Sequence, residues 1–274
     1  MYYKHNLNFQ YPDRCDEHML RVERVKKIEF DEAYPYLPHG VGYKFLRAAY
    51  WVILNVAVFP LCRLVYGLRI HGKKNLKKHK TVLKNGAITI SNHVFMWDYL
   101  CVLRAIRPHL AYFPAWKTNL EGNMRHLVRL SGGIPIPTDS MHAMAQFNRA
   151  IEEVLERGKW LHFFPEGSLW FFYPDIRPLK KAVFHYAVKH QKPILPITMS
   201  FRPRKGLWKL IGKKPLVDLH IGEPLLPDNT LPLREAEQRL HEKAYHVMQE
   251  MNGIHEGDPN YNTDQDPRHY RKTM

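Results

Sequence analysis

His93 and Asp98 stand five residues apart in the stretch 86–98 and could together act as a general base. An imidazole titrates near neutral pH, and a neighbouring carboxylate can fix its tautomer. In a straight helix these positions would lie about 140° apart around the axis, so the side chains would not meet. The pair is therefore useful only where residues 91–97 bend after a strand and Asp98 caps the next helix, a position that aspartate favours.

The sequence around this pair predicts the elements that such a bend requires. An apolar run at 87–91 indicates a buried strand, and 99–106 continues as a helix. Strands that alternate with helices of this length are typical of an α/β fold. We therefore predict a mixed, largely parallel sheet flanked by helices. The other predicted strands are 68–71, 110–113, 160–164, 194–201 and 217–221, and the other predicted helices are 117–130, 140–157, 178–190 and 233–251.

Three polar clusters fall at the ends of predicted strands or beside them. They are Asn92-His93, the segment 132–138 and the segment 165–168. In open α/β sheets, ligands gather beyond the carboxyl ends of strands. A His–Asp base, a glutamate on a Pro-Gly turn and nearby basic residues together suit a site that deprotonates a hydroxyl group beside an anionic group.

The charge of the chain indicates an anionic partner. The net charge is +15, and residues 33–97 and 176–217 contain no Asp or Glu. Such basic stripes favour a nucleic acid, an anionic membrane surface or a phosphorylated ligand, and an ordinary solvated basic surface is the alternative. No recognition motif accompanies the charge, so we predict no nucleic-acid partner. The three cysteines are far apart, which predicts neither a disulfide framework nor a metal site and suits a reducing compartment.

One long apolar stretch, residues 48–62, indicates contact with a membrane. Its 15 residues are fewer than the roughly 20 that span a bilayer, and basic residues follow it. We predict an interfacial or re-entrant helix over 43–67, on the cytoplasmic face of the cell membrane, in a peripheral or monotopic protein. A buried helix is the alternative. The loop 202–214, with basic residues around Trp208, is predicted to lie at the same surface.

These elements predict three parts of the chain. Residues 1–42 would form an N-terminal arm and 43–252 the main domain, which includes the interfacial helix. The polar residues 253–274 would form a disordered tail. The first 40 residues hold no apolar segment typical of a signal peptide.

Four ordered blocks resemble those of the glycerolipid acyltransferases, whose best-known member is lysophosphatidic acid acyltransferase (1-acylglycerol-3-phosphate O-acyltransferase). The blocks are Asn92-His93-x4-Asp98, Gly133-Ile134-Pro135-Ile136, Phe164-Pro165-Glu166-Gly167-Ser168 and Pro193-Ile194-Leu195-Pro196-Ile197. Residues 221–224 resemble the closing strand of the family. The resemblance covers roughly residues 43–250.

The resemblance implies a role for each matched residue. His93 would take the proton from an acceptor hydroxyl, with Asp98 orienting its ring, and no covalent acyl-enzyme is needed. A backbone amide near Gly132 or Gly133 would stabilise the oxyanion. No cofactor is implied; acyl-CoA or acyl-carrier protein would be the acyl thioester donor and a lysolipid the acceptor. The substrate-binding residues would be Asn92, Lys117, Gly133, Pro165, Glu166, Gly167, Ser168 and Lys180.

Two positions leave the acceptor open. Related sequences often carry an arginine for the acceptor phosphate where this chain has Thr138 and Leu169. The first hypothesis is acyl transfer to a lysophospholipid, above all 1-acylglycerol-3-phosphate, in phospholipid biosynthesis. The second is transfer to a phosphate-free hydroxylated lipid, and the third is an inactive membrane-binding protein of the same fold. Basic residues that could replace the arginines are Lys117, Arg125, Arg177, Lys180 and Lys181.

Overall fold

A seven-stranded sheet forms the middle of the computed structural model, which describes residues 7–19, 22–138 and 140–270. The strands are β1 Arg69–His71, β2 Ile88–Ser91, β3 Ala111–Trp116, β4 Gly133–Ile136, β5 Trp160–Phe163, β6 Ile194–Arg202 and β7 Leu216–Ile221. Their order across the sheet is β1-β7-β6-β2-β5-β3-β4. The strands from β6 to β4 are parallel, whereas β7 pairs antiparallel with β6 and parallel with β1. The predicted fold class is confirmed.

Helices cover both faces of this sheet. They are α1 Val41–Ile53, α2 Phe59–Tyr66, α3 Lys73–Lys78, α4 Lys80–Leu83, α5 Asp98–Ala105, α6 Lys117–Glu121, α7 Arg125–Leu130, α8 Met141–Glu156, α9 Ala182–Lys189, α10 Trp208–Ile211 and α11 Leu233–Met251. One apolar core joins α2 and α5 to the sheet, and a second joins α8, α9 and α11 to its other face. Because both faces are covered, the central strands are buried on both sides, as in β2, whose four residues are all buried.

Tertiary contacts shorten two of the predicted helices. The predicted helix 117–130 is broken at Gly122, where an added Cβ would lie 2.9 Å from a methyl group of Val22. Glycine also has a low helix propensity, which favours a break at this position. The N-terminal arm, through Val22, passes over the break. The predicted helix 178–190 begins only at Ala182, because the amide of Lys180 donates a 2.7 Å hydrogen bond to the carbonyl of Pro165.

The N-terminal apolar segment is longer than its composition indicated. Helical structure runs over Val41–Tyr66, with a π-helical turn at Leu54–Val58, and its 26 residues are long and apolar enough to cross a membrane by length and composition alone. The helix agrees with the predicted range 43–67 to within two residues, and it extends past the apolar run 48–62 at both ends, through Arg47 and Arg63. Only 17% of its most apolar window is buried.

The described part of the C-terminal segment packs against the domain, contrary to the predicted disorder. The amide of Asn262 and the side chain of Gln249 exchange two hydrogen bonds of 2.8 Å. The hydroxyl of Tyr270 donates a 2.8 Å hydrogen bond to that of Tyr173. Aromatic residues such as Tyr270 pack this segment against the domain, although its composition is mostly polar. Residues 271–274 lie outside the described residues, and the division into three parts stays a prediction.

Candidate active site

His93 and Asp98 meet at the carboxyl end of β2. The Nδ1 atom of His93 lies 2.6 Å from Oδ2 of Asp98. The carboxylate is 2% exposed and also accepts hydrogen bonds from the amides of Phe95 and Tyr99, whereas the imidazole is 21% exposed. The chain bends between β2 and α5, and Asp98 is the first residue of that helix rather than its cap, which is Trp97. A buried, fixed carboxylate therefore orients a ring that solvent can reach.

The ring of His93 is also held from its other side. It stacks on Phe164, which follows β5, with ring centroids 4.0 Å apart and planes 19° apart. Its backbone amide donates a 3.0 Å hydrogen bond to Oε2 of Glu166, and its carbonyl accepts one of 3.0 Å from the amide of Trp170. Two neighbouring strand ends thus fix the position of one imidazole.

Asn92 supports this bend and does not face a ligand. Its side-chain amide donates to the carbonyl of Met199 at 2.9 Å and accepts from the amide of Met199 at 2.8 Å. The residue is fully buried. These two bonds connect the end of β2 to β6 and pair both the amide nitrogen and the oxygen of the side chain. The predicted substrate contact of Asn92 is therefore replaced by a structural role.

Glu166 and Ser168 are likewise internal. The Glu166 carboxylate is fully buried and lies 2.6 Å from Nη2 of Arg177, which is also fully buried. It accepts further hydrogen bonds from the amides of His93 and Arg177. The Ser168 hydroxyl donates to the carbonyl of Cys15 at 2.9 Å. Arg177 was one of the basic residues considered for an acceptor phosphate, and its burial removes it from that set. The side chains of Glu166, Ser168 and Arg177 therefore bond to other parts of the protein and do not provide the ligand contact that the sequence predicted.

A cavity of about 960 Å³ opens in front of His93. It runs along the carboxyl edge of β2, β5, β3 and β4 and touches the apolar cores on both faces of the sheet. This volume lies at the upper end of the range for ligand sites. Its walls can accommodate hydrocarbon chains on either side of the imidazole. Its apolar lining includes Trp97, Leu100, Phe113, Trp116, Phe147 and Phe163.

Pro165, Gly167 and Lys180 lie at this cavity as predicted from the sequence. Gly167 has φ of +80°, and an added Cβ would lie 2.7 Å from Nζ of Lys180. The lysine side chain therefore crosses directly over the glycine. Among the described residues, its ammonium group has no hydrogen-bond or ion-pair partner. The carboxylate of Asp16, which lines the same cavity, is a nearby opposite charge.

Two other predicted residues lie outside the cavity lining. Lys117 is half-buried at the start of α6, whereas its neighbours Trp116 and Asn119 line the cavity. Gly133 is buried in β4 against Val128. The amide of Gly132 donates to the carbonyl of Arg129 at 3.0 Å, so it is not available to an oxyanion.

The N-terminal arm contributes residues that the sequence did not indicate. Asp16, His18 and Glu23 line the cavity, and His18 stacks on Trp116 with centroids 4.5 Å apart. Burial, and next the nearby His93, lower the pKa of His18 to about 4, so its ring is neutral at pH 7. The carbonyl groups of the arm accept hydrogen bonds from Ser168, Arg177 and Trp170. No spacing or motif in residues 7–38 could have indicated this placement.

The described residues offer neither a metal centre nor a cysteine nucleophile at the cavity. No group of three or more His, Cys, Asp or Glu side chains that could hold a metal ion occurs among them. Within that same part of the chain, Cys15, Cys62 and Cys101 are buried free thiols outside the cavity lining. Burial raises the pKa of the Cys101 thiol well above its usual value.

Comparison with known proteins places these residues in a family. Residues 67–200 match the sequence model of the family described as Acyltransferase. A curated relative, an uncharacterized acyltransferase of Schizosaccharomyces pombe, is 26% identical over 139 residues. This match covers 50% of the chain and 48% of the relative, so it spans about half of that protein's length.

A solved structure shares the fold. The crystal structure of the 1-acyl-sn-glycerophosphate (LPA) acyltransferase PlsC from Thermotoga maritima matches with a TM-score of 0.51 and 19% sequence identity. The match covers 78% of this chain and 84% of that one. At this identity the likeness concerns the fold, and His93, Asp98 and the block 164–168 all lie within the segment that the family model matches.

Proposed function

We propose that this chain, which belongs to the acyltransferase family through its domain at residues 67–200, transfers a fatty acyl group from a thioester to a lysophospholipid hydroxyl. The observation that carries the proposal is the His93–Asp98 pair, 2.6 Å apart, opening onto an apolar cavity of about 960 Å³. A general base beside space for hydrocarbon chains suits acyl transfer between lipids.

The proposal gives His93 the role of base, which the geometry of the site supports. Because the Nδ1–H group donates a hydrogen bond to the Asp98 carboxylate, the lone pair of the neutral ring is on Nε2. Nε2 takes the proton of the acceptor hydroxyl while the hydroxyl oxygen attacks the thioester carbonyl carbon. The C–S bond of the resulting tetrahedral intermediate then breaks, and His93 returns the proton to the departing thiolate. The new ester and the free thiol leave, and no acyl group is attached to the protein.

Asp98 keeps the His93 ring in one orientation, with Nε2 free to exchange protons, during both proton transfers. Its buried carboxylate is fixed by two backbone amides, so it holds one tautomer and stabilises the imidazolium that forms. The stacking partner Phe164 prevents the ring from turning away from the cavity. This arrangement supports catalysis by positioning rather than by a covalent intermediate.

Lys180 supports a phosphate-bearing acceptor, above all 1-acylglycerol-3-phosphate. Its ammonium group lies at the cavity and, among the described residues, has no ion-pair partner, whereas Leu169 is buried at a position where relatives often carry arginine. A lysine binds phosphate as a point charge. Acyl-CoA or acyl-carrier protein is the proposed donor. The second candidate, a phosphate-free hydroxylated lipid, is favoured by the apolar side chain at Leu169.

The exposed apolar face of α1 and α2 supports association with a membrane. Val41, Phe45 and Val56 are each more than 70% exposed, although they are large and apolar. Soluble surfaces rarely expose such a contiguous patch. We propose that this helical segment inserts into the cytoplasmic face of the cell membrane, which would supply the lipid substrates to the nearby cavity.

The test measures transfer of a radiolabelled acyl group from acyl-CoA or acyl-carrier protein to a panel of acceptors. The panel contains lysophosphatidic acid, lysophosphatidylglycerol and monoacylglycerol. We expect His93→Ala to lose at least about 100-fold in kcat, and Asp98→Asn to lose a similar factor because the ring is no longer held. His142→Ala, which removes an exposed histidine of α8 outside the cavity lining, should retain wild-type activity.

Each result separates the hypotheses. Activity with monoacylglycerol but with neither lysophospholipid selects the phosphate-free acceptor. Activity that survives in both His93→Ala and Asp98→Asn contradicts the mechanism. A folded wild-type protein without activity on any acceptor favours the inactive membrane-binding protein.

A further inference from the structure

Four basic side chains gather where α2 packs against α5, on the face of the sheet that carries α1. Within the described part of the chain, Arg63, Lys73, Arg104 and Arg107 have no hydrogen-bond or ion-pair partner for their charged groups. No acidic residue occurs between positions 33 and 97 of the sequence, so the local segment supplies no counter-charge. The cluster is therefore an uncompensated positive centre.

The charges of this cluster repel one another. Burial and then the neighbouring Arg107 and Arg63 lower the pKa of the Arg104 guanidinium. The same kind of effect, burial followed by Arg104 and Arg107, lowers the pKa of Lys73. Arg63, Lys73 and Arg107 are exposed and Arg104 is half-buried. A bound anion would relieve the repulsion among them.

A shallow cavity of about 330 Å³ lies at the cluster. It is lined by Pro60, Arg63, Leu64, Arg104 and Trp208. The guanidinium carbon of Arg104 lies 5.8 Å from the centroid of the Phe59 ring, which holds the side chain toward α2. The Trp208 indole donates a 3.1 Å hydrogen bond to the carbonyl of Leu64, which connects α10 to α2. Two guanidinium groups and an anchored indole thus share one recess.

Apolar side chains surround this recess. Leu61 and Leu64 of α2 are 56% and 61% exposed, and Leu207 and Leu210 beside Trp208 are 78% and 85% exposed. A soluble anion needs no such apolar rim, whereas a phospholipid presents its phosphate directly beside hydrocarbon. Tryptophan at the boundary between the two is typical of the headgroup level of a membrane.

We propose that Arg63, Arg104 and Trp208 form a binding site for the phosphate-bearing headgroup of an anionic phospholipid in the bilayer. This inference rests on the proposed membrane association. The site is separate from the catalytic cavity, with which it shares no lining residue. Arg104 lies six residues after Asp98 in the same helix, about 9 Å along its axis. A bound lipid would therefore fix the orientation of α5, and of the active site at its first turn, toward the membrane.

The test compares binding of the full chain to vesicles of phosphatidylcholine and of phosphatidylcholine mixed with phosphatidylglycerol. We expect wild type to prefer the mixed vesicles. Arg63→Gln with Arg104→Gln should lower affinity for the mixed vesicles about 30-fold, or about fivefold per arginine, and leave binding to neutral vesicles unchanged.

Two control variants remove the same charge elsewhere. Arg149→Gln with Arg234→Gln changes exposed arginines of α8 and α11, on the other face of the sheet, and should bind like wild type. Lys205→Gln with Lys209→Gln changes exposed lysines beside Trp208 but outside the cavity, and should lose no more than about threefold at physiological salt.

The opposite results overturn the site. An equal loss of affinity in the Lys205 and Lys209 variant would show that charge acts diffusely and not through a site. An unchanged affinity in the Arg63 and Arg104 variant would show that these two arginines do not bind the headgroup. Loss of the vesicle preference in excess inorganic phosphate would assign the recess to a soluble anion.

Activity in neutral detergent micelles separates this proposal from the enzymatic one. The Arg63 and Arg104 variant should transfer acyl groups there like wild type. A wild-type protein inactive in micelles, yet selective for anionic vesicles, would contradict the catalytic proposal and leave the lipid site supported.

Discussion

Glu166 illustrates how one residue type can serve two purposes in the same motif. A glutamate on a Pro-Gly turn beside the proposed catalytic base His93 predicts a ligand contact. In the structure its carboxylate is saturated by Arg177 and by the amide of His93. A buried ion pair that also fixes the catalytic backbone contributes to activity through position, because it determines where the imidazole sits.

The predicted effect of Glu166→Gln is therefore on stability. The substitution leaves the Arg177 charge buried without its partner, so the free energy of unfolding should fall by about 3 to 5 kcal/mol, measured by urea denaturation. The control Glu223→Gln breaks an exposed pair with Lys78, which solvent screens, and should leave stability nearly unchanged. An unchanged stability with a higher KM for the acceptor would instead make Glu166 a substrate ligand.

His162 predicts a specific pH dependence of stability. Burial, and next His93, lower the pKa of His162 to about 3, and its ring is hydrogen-bonded to Thr89. In the unfolded chain the pKa is about 6.5. Between these values the unfolded state binds a proton that the folded state does not. Above pH 6.5 the protonation of His162 therefore does not reduce the stability of the fold. As the pH falls below 6.5, this residue lowers the free energy of unfolding by about 1.4 kcal/mol per pH unit.

The measurement is urea denaturation at several pH values between about 4.5 and 6.5. His162→Gln can still bond to Thr89 but cannot titrate, so its stability should fall less steeply with decreasing pH than that of wild type. His142→Gln, on the surface of α8, should follow wild type. Parallel curves for wild type and His162→Gln would contradict the prediction.

At the scale of elements, the turn after β5 positions the cation of the site. Gly167 has a positive φ and lies under Lys180, which no side chain at position 167 would permit. The late start of α9 follows from the same contact, since the amide of Lys180 bonds to Pro165 instead of continuing a helix. The turn and the shortened helix therefore form one structural unit.

Gly167→Ala should displace the Lys180 ammonium and strain the turn by about 1 to 3 kcal/mol. We expect a higher KM for lysophosphatidic acid, close to that of Lys180→Met, and little change for a phosphate-free acceptor. Gly206→Ala introduces the same positive-φ strain where nothing lies within 4 Å, and should leave KM unchanged. Additive effects of Gly167→Ala and Lys180→Met would show that the two residues act separately.

At the scale of the whole molecule, the two faces of the sheet differ in what covers them. The face with α8, α9 and α11 is closed by its own helices, whereas the helices α1 and α2 on the other face leave a broad apolar surface exposed. The arm crosses the cavity between these faces and brings His18 onto Trp116. Because the cavity in front of His93 touches the cores on both faces of the sheet, it connects the side that carries the exposed apolar surface of α1 and α2 to the interior of the domain.

Val52→Asp with Val56→Asp should therefore abolish membrane attachment. Wild type should stay bound through high-salt or carbonate washing, because insertion of the helix does not depend on charge alone. The variant should be released, with unchanged stability, since both side chains are at least 60% exposed. The control Leu226→Asp with Leu233→Asp changes exposed apolar residues outside the N-terminal helical segment 41–66, and this variant should remain bound. Release of wild type by salt would indicate attachment by the basic stripes alone.

The sequence by itself determined the α/β class, the strands β2 and β5 to β7 and the ends of α8 and α11, because hydrophobic period and capping act over short distances. The order of the blocks around His93 and Asp98 also resembles that of the glycerolipid acyltransferases, and residues 67–200 match the family model described as Acyltransferase. Only the tertiary structure decided that Asn92, Glu166 and Ser168 face inward and that His18 faces the cavity. A motif specifies which residues are present, but the direction of each side chain depends on partners up to 162 positions away, such as Cys15 for Arg177.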